Sequence, residues 1–212
     1  MCFSASASFA ASALLTAAGT QTLRKVKKPS QLILASVPLL FALQQLAEGI
    51  LWTVIGHKVY PVLESIATYA FVTMAKVVWP LMLPLAMLIL EKSSVRKKIM
   101  GFCLACGAAV SFYYLYSLLF FTPYAQIKTL HVAYFSDFPS PYWMEALVLY
   151  LLATIVPLFI STLKKAYILG IALIISFTIS AVFFIHYLTS VWCFFAAVMS
   201  VVIYFMVRDN EA

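Results

Sequence analysis

Long apolar runs separated by short charged clusters extend along the whole chain. Seven of these runs are long enough for a helix to cross roughly 30 Å of hydrocarbon, where a helix satisfies its own backbone hydrogen bonds. The runs lie at about residues 3–22, 32–55, 62–90, 99–121, 142–163, 167–188 and 191–207. The pattern predicts an all-α polytopic transmembrane helix bundle that forms a single integral membrane domain over residues 1–212.

The composition agrees with this prediction and excludes a soluble protein. Of the 212 residues, 65% are hydrophobic and only 10% are charged. A soluble domain usually has about 25% charged residues, because ionic side chains must keep its surface in water. Since the predicted spans leave only short connections, we expect any functional site to lie within or against the bilayer.

The distribution of basic residues predicts the orientation of the bundle. Eleven of the 14 Lys and Arg residues follow the first, third, fifth and seventh runs, whereas the opposite side has only Lys58 and Lys128. Lys76 lies inside the third run. Because positively charged loops stay on the cytoplasmic side, the N-terminus is expected outside and the C-terminus inside. Membrane lipids are therefore the expected partners, and the short loops argue against nucleic acid.

An acid in the second run is the strongest candidate for chemistry. Gln44, Gln45, Glu48 and Trp52 are spaced by three and four residues, so they share a face of one helix. An ionisable group at membrane depth is normally paired or lines a polar cavity. Lys76 is the candidate partner of Glu48, and the alternatives are an inert buried ion pair and a protonated acid.

Two thiols are expected on the same outer side as Glu48. Cys2 and Ser4 begin the first run, and Cys193 lies near the start of the last one. Removal of the initiator Met would leave a free α-amine beside the Cys2 thiol, and this pair can chelate a soft metal or act as a nucleophile. A disulfide between Cys2 and Cys193 and an unreactive Cys2 are the alternatives.

One long connection, at about residues 122–141, is also expected on the outer side. It contains His131, Tyr134 and Asp137, and Trp192 lies close to the same leaflet at the start of the last run. The connection is longer than a helix bundle requires, which favours a lid or a re-entrant segment. Its aromatic side chains are also typical of the membrane interface.

These residues support two hypotheses of function. The first is a metal-dependent enzyme that acts on a lipid or another apolar small molecule, with Glu48, Cys2 and His131 in catalysis. Its metal, zinc or copper, would be held by Cys2, Glu48, His131 and Cys193. The second hypothesis is a small-molecule transporter or ligand sensor that uses a Glu48–Lys76 pair. The expected pocket residues are Ser4, Gln44, Gln45, Trp52, Lys76, Tyr134 and Trp192.

Several short motifs together carry a resemblance to a known family. They are Met1-Cys2-Phe3-Ser4-Ala5, Pro38-Leu39-Leu40-Phe41, Trp79-Pro80 and Ser190-Val191-Trp192-Cys193. The chain resembles a family of small bacterial polytopic membrane proteins that begin with Met-Cys-Phe-Ser and have no assigned activity. The resemblance implies a multi-pass protein of the bacterial inner (plasma) membrane, and it implies no particular reaction.

Overall fold

A computed structural model describes residues 4–57, 59–128 and 131–209, and most of these residues are helical. The α-helices are α1 Ala5–Arg24, α2 Leu32–Val54, α3 Pro61–Thr73, α4 Trp79–Leu90, α5 Ser94–Phe120, α6 Trp143–Ile160, α7 Ala166–Phe183, α8 Leu188–Met199 and α9 Val202–Asp209. Short 3-10 turns lie at Pro29–Gln31 and Ile185–Tyr187. A five-residue π-helix, Met74–Val78, joins α3 to α4.

The helices form six segments that are long and apolar enough to cross a membrane. These segments are Pro29–Val54, Pro61–Leu90, Ser94–Phe120, Trp143–Ile160, Ala166–Phe183 and Ile185–Asp209. Helix α1 is long enough to be a seventh span, but its many Ser, Thr and Ala residues make it less apolar than the other six. The prediction of an all-α multi-pass bundle is confirmed, with six to seven spans.

Small residues allow α1 to pack closely along α2. The Ser12 hydroxyl donates a hydrogen bond to the Ala42 carbonyl across the helix pair at 2.8 Å. A Cβ atom at Gly19 would lie only 2.6 Å from Cγ of Leu39, so the glycine is required by this contact. Small residues are typical of interfaces between membrane helices because they let the backbones approach.

The π-helix in the third span follows from the proline that comes after it. In a π-helix each N–H bonds to the carbonyl five residues earlier, as Trp79 does to Met74. Pro80 has no N–H, so in this register the Ala75 carbonyl has no backbone donor. The Tyr150 hydroxyl donates to that carbonyl instead, at 2.8 Å. This side chain of α6 therefore stabilises the bulge that positions Lys76.

A second proline brings α5 close to α4. Pro84 lacks the N–H that would bond to the Pro80 carbonyl one helical turn earlier. Gly107 of α5 lies directly against this carbonyl, because a Cβ atom built at Gly107 would be 1.8 Å from its oxygen. A side chain at position 107 would force the two helices apart.

The long connection predicted at about residues 122–141 contains a small β-sheet that the sequence did not predict. It forms an antiparallel hairpin of β1 Tyr124–Lys128 and β2 His131–Phe135. Ala125 and Val132 of the hairpin are buried in one apolar cluster with Leu51 of α2. The hairpin therefore packs against α2 and α3. A strand is recognised in a sequence by alternating apolar and polar residues. Strands of five residues are too short for this alternation to be recognised in a chain that is mostly apolar.

The boundary between the last two spans lies a few residues earlier than the sequence suggested. The sequence suggested spans at 167–188 and 191–207, whereas α7 ends at Phe183 and the last span covers Ile185–Asp209. The 3-10 turn that separates them contains neither glycine nor proline and is apolar on both sides. No compositional signal therefore marks this turn.

Candidate functional site

Glu48 lies at the centre of a buried polar network. Its side chain is 0% exposed, and Oε1 accepts a hydrogen bond of 2.5 Å from the hydroxyl of Ser190. Ser190 is also fully buried and lies in the first turn of α8. Because a buried carboxyl group without hydrogen bonds is costly, this contact fixes α8 against the middle of α2.

The polar contacts continue one turn along α2. Oε1 of Gln44 accepts a hydrogen bond from the indole N–H of Trp79 at 2.8 Å. The Gln44 amide also lies beside the Cys193 thiol, and Glu48 is near the same thiol. Gln44, Glu48, Trp79, Ser190 and Cys193, the Glu48 network, therefore connect α2, α4 and α8.

Gln45 and Trp52 do not join this network. Gln45 is fully buried, and in the described part of the chain neither its amide oxygen nor its amide nitrogen has a hydrogen-bond partner. Trp52 packs with Leu51 and Ala67 beneath the hairpin. The sequence placed these polar residues on one face of α2. In the structure, Gln44 and Glu48 belong to the network, whereas Trp52 packs beneath the hairpin.

Lys76 has different neighbours from Glu48. Its ammonium lies 4.9 Å from the centroid of the Tyr114 ring, a cation–π contact with α5. Within residues 4–57, 59–128 and 131–209, Lys76 forms no ion pair and no hydrogen bond, so it does not pair with Glu48. The hydrogen-bond donors of the Lys76 ammonium therefore have no acceptor among the described residues.

Lys76 lines a cavity of about 210 Å³, which we call the outer cavity. Its rim contains Trp143 and Ile185, which begin their spans on the side that the basic residues predict to be outer. The wall is mostly aromatic and aliphatic, with a few polar groups. It consists of Ala75, Lys76, Tyr114, Trp143, Leu147, Tyr150, Ile185, Leu188, Thr189, Trp192 and Cys193.

A smaller cavity of about 50 Å³, the deep cavity, lies next to the outer cavity. Both cavities are lined by Tyr150, Trp192 and Cys193, so these three side chains separate them. Trp79 of the Glu48 network also lines the deep cavity. The network therefore meets both cavities through Cys193.

His131 and Tyr134 hold the hairpin against the helices. The His131 ring stacks on Tyr187 with centroids 4.6 Å apart and lies 5.1 Å from Phe184. Its side chain is 8% exposed, and burial lowers the pKa of His131. Tyr134 stacks on Phe71 at 4.4 Å.

The outer end of α1 provides a helix cap. The Ser4 hydroxyl accepts a hydrogen bond of 3.2 Å from the N–H of Ala7 and is the N-cap of α1. Cys2 lies outside the described residues. Among the residues that are described, no group of three His, Cys, Asp or Glu side chains could hold a metal ion. A zinc or copper site with Cys2, Glu48, His131 and Cys193 stays a prediction.

A model of a known protein family matches residues 1–212. The chain belongs to DUF6629, a family of unknown function. This agrees with the resemblance to a family without an assigned activity. No curated protein and no solved structure matches the chain. The function of this DUF6629 protein must therefore be argued from its own geometry.

Sequence analysis did not identify two residues that complete the site of this DUF6629 protein. Ser190 precedes Cys193 by three residues, so helical spacing alone could have placed both side chains on one face. Tyr150 bonds to the Ala75 carbonyl, which lacks a donor only because of the π-helical register. The sequence does not show that Tyr150 of α6 would lie beside this carbonyl.

Proposed function

We propose that the protein binds an apolar acid, such as a fatty acid, in the outer cavity. One observation carries the proposal: Lys76 lines the cavity, and its ammonium forms no ion pair and no hydrogen bond among the described residues. A carboxylate is a ligand group that pairs with an ammonium and accepts its hydrogen bonds.

The location of Lys76 favours an anionic group. A charge within the hydrocarbon region is costly unless a partner or water offsets it, and such residues commonly mark substrate pathways. The Tyr114 ring offsets part of this cost, since a desolvated cation–π contact contributes about 2 kcal/mol. A carboxylate at Lys76 would offset more, because opposite charges attract strongly at low dielectric constant.

The walls of the outer cavity favour an apolar ligand of modest size. Trp143, Leu147 and Leu188 present aromatic and aliphatic surface. The volume of about 210 Å³ is below the range of roughly 300–1,000 Å³ that is usual for ligand pockets. A single chain or a small ring system therefore fits better than a two-chain lipid. The deep cavity beyond Trp192 offers space for the end of a chain.

Binding of this kind suits a transporter or a ligand sensor. The resemblance noted in the sequence supports a location in the bacterial inner (plasma) membrane. There, eleven basic residues on one side are consistent with a cytoplasmic face. An apolar acid reaches such a cavity from the outer leaflet, where the rim residue Trp143 is exposed.

Tryptophan fluorescence tests the proposal, because Trp143 and Trp192 line the cavity. The full chain in nanodiscs of zwitterionic lipid is titrated with a brominated fatty acid, and saturable quenching is expected. The change Lys76→Met should weaken binding about tenfold or more, since it removes the charged partner. The matched control is Lys128→Met, because Lys128 also lies over an aromatic ring, Phe135, but does not line the cavity.

The chemistry of the headgroup is tested with the brominated alcohol of the same chain length. In the wild type, the acid should quench the fluorescence at a lower concentration than the alcohol does. In Lys76→Met, the acid and the alcohol should quench at similar concentrations. Identical titrations for acid and alcohol, or for the wild type and Lys76→Met, would show that Lys76 does not bind an acid.

An enzyme that uses Glu48 as a general acid or base is the second candidate. The supporting observation is the 2.5 Å hydrogen bond between Ser190 and Glu48, close to the Cys193 thiol that faces both cavities. Its metal-dependent version predicts about one zinc or copper ion per purified chain, lost in Glu48→Gln and in Cys2→Ala. Metal-free protein whose melting temperature does not respond to chelators would contradict that version.

A further inference from the structure

A third cavity, of about 240 Å³, lies at the opposite end of the bundle, and we call it the inner-face cavity. It is formed where the α1–α2, α4–α5 and α6–α7 connections meet the last helix, on the side predicted to be cytoplasmic. Its polar wall contains Lys28, Ser30, Lys92 and Thr162, and its apolar wall includes Leu34 and Met206. The outer cavity does not share these residues.

A buried amide fixes the first of these connections. Gln31 is 4% exposed, and its Oε1 accepts hydrogen bonds from the N–H groups of Lys27 and Lys28 at 2.9 and 3.2 Å. Pro29 further restricts the backbone beside Lys28. The position from which the Lys28 side chain extends is therefore set by the fold.

A buried carboxylate fixes the other two connections. Glu91 is 2% exposed and accepts hydrogen bonds from the N–H groups of Lys92, Ser93 and Thr162 at 2.9–3.0 Å. The Thr162 hydroxyl donates a fourth bond at 3.0 Å. Burial raises the pKa of Glu91, but these hydrogen bonds outweigh it and hold the pKa below its ordinary value. Its charge is thus offset by four donors, and it does not line the cavity.

We propose that the inner-face cavity binds the phosphate group of an anionic glycerophospholipid. Lys28 and Lys92 line this one cavity from two different connections, and Ser30 lines the same wall. Charged donors bind phosphate oxygens strongly, and basic pockets between membrane helices on the cytoplasmic side suit anionic headgroups. The acyl chains would continue past Leu90 and Leu163, the partly exposed apolar residues of the cavity wall. This site is independent of the proposed function.

The apolar wall distinguishes this site from the general excess of basic residues on the same side. Lys97 and Lys98 are exposed near the start of α5 and do not line the cavity. They lie at the same predicted face and carry the same charge as Lys28 and Lys92. Variants of the two lysine pairs can therefore distinguish a specific lipid-binding site from nonspecific attraction to a charged surface.

Native mass spectrometry of the full chain released from nanodiscs is the test. Nanodiscs containing equal amounts of phosphatidylglycerol and phosphatidylcholine should leave phosphatidylglycerol bound preferentially. The double change Lys28→Ala and Lys92→Ala should weaken this binding about 30-fold, whereas Lys97→Ala with Lys98→Ala should change it only slightly. Lys28→Arg with Lys92→Arg should retain binding, which shows that the effect depends on charge and that the fold tolerates changes there.

Three results would overturn the proposal. They are equal binding of the two lipids, equal losses in the two alanine pairs, and loss of binding in the arginine pair. A further arm adds inorganic phosphate to phosphatidylcholine nanodiscs. If phosphate alone occupies the site and protects it from added phosphatidylglycerol, the site binds a free anion and the lipid assignment is wrong.

Discussion

At the residue scale, the described part of the chain contains buried polar groups of two kinds. Glu48, Ser190 and Glu91 form hydrogen bonds within the protein. Lys76 instead lines a cavity and forms no ion pair and no hydrogen bond among the described residues. The first kind is expected to control stability, and the second kind is expected to control ligand binding.

The first residue-scale prediction concerns Ser190. Ser190→Ala should destabilise the protein by about 1–3 kcal/mol, because it removes a hydrogen bond from a buried carboxyl group. Ser180→Ala is the matched control, since Ser180 is equally buried but its hydroxyl has no partner in the described residues. Thermal unfolding in detergent is the measurement. Equal melting temperatures for the two variants would contradict the role of Ser190.

The second residue-scale prediction concerns Glu91. Its pKa in the folded protein is below the ordinary 4.5, so its contribution to stability is present above that pH and is lost as the pH falls through the lowered native pKa. Glu91→Gln should destabilise the protein by about 1.5–3 kcal/mol at pH 7 and much less in acid. Melting temperatures of both proteins from pH 7 to pH 3 test this. A difference that does not change with pH would show that the charge of Glu91 is unimportant.

Much of the site could be predicted at this scale, and the rest depended on the backbone. Glu48 and Lys76 could be recognised as candidates because they are charged residues within apolar runs, where such residues are rare. The partner of Glu48 could not be predicted from composition, since serines are common in membrane helices and Ser190 is distant in sequence. Tyr150 was missed because its acceptor exists only in the π-helical register.

At the element scale, the length of apolar runs predicted the helices, whereas local irregularities were missed. A long apolar run has few alternatives to a spanning helix in lipid. The turn at Ile185–Tyr187 and the hairpin strands depend on tertiary contacts, such as the stack of His131 on Tyr187. Such contacts leave no periodic signal in the sequence.

The element-scale prediction uses two glycines of α5. Gly107→Ala should destabilise the protein by about 1–3 kcal/mol, because the new Cβ atom would overlap the Pro80 carbonyl. Gly101→Ala should stabilise it by up to about 1 kcal/mol, since nothing lies within 4 Å of the added atom and alanine favours helix. Melting temperatures of the two variants should shift in opposite directions. A similar small shift in both would show that α4 and α5 do not pack as described.

At the scale of the whole molecule, the basic residues predict which end of the bundle faces the cytoplasm. Cysteines introduced in a Cys2→Ser background test this, because Cys103, Cys106 and Cys193 are buried. A membrane-impermeant maleimide should label Val59→Cys on intact cells and should label Val95→Cys only after lysis. The reverse pattern would invert the orientation and place the inner-face cavity in the outer leaflet.

The cavity that we propose to bind an acid thus lies at one end of the molecule, and the cavity that we propose to bind phosphate lies at the other. The Glu48 network lies between α2, α4 and α8 and contributes Trp79 and Cys193 to the cavity walls. Because α8 both carries Ser190 and lines the outer cavity through Trp192, ligand binding there is expected to stabilise the packing of α8 against α2.

Photo-crosslinking tests the central claim most directly. The full chain in nanodiscs is irradiated with a fatty acid that carries a diazirine on its chain, and the labelled residues are mapped by mass spectrometry. The account predicts saturable labelling of Leu147, Leu188 and Trp192, which unlabelled fatty acid displaces and Lys76→Met abolishes. Labelling confined to exposed apolar residues such as Phe112 and Leu119, unchanged by Lys76→Met, would contradict an acid-binding cavity.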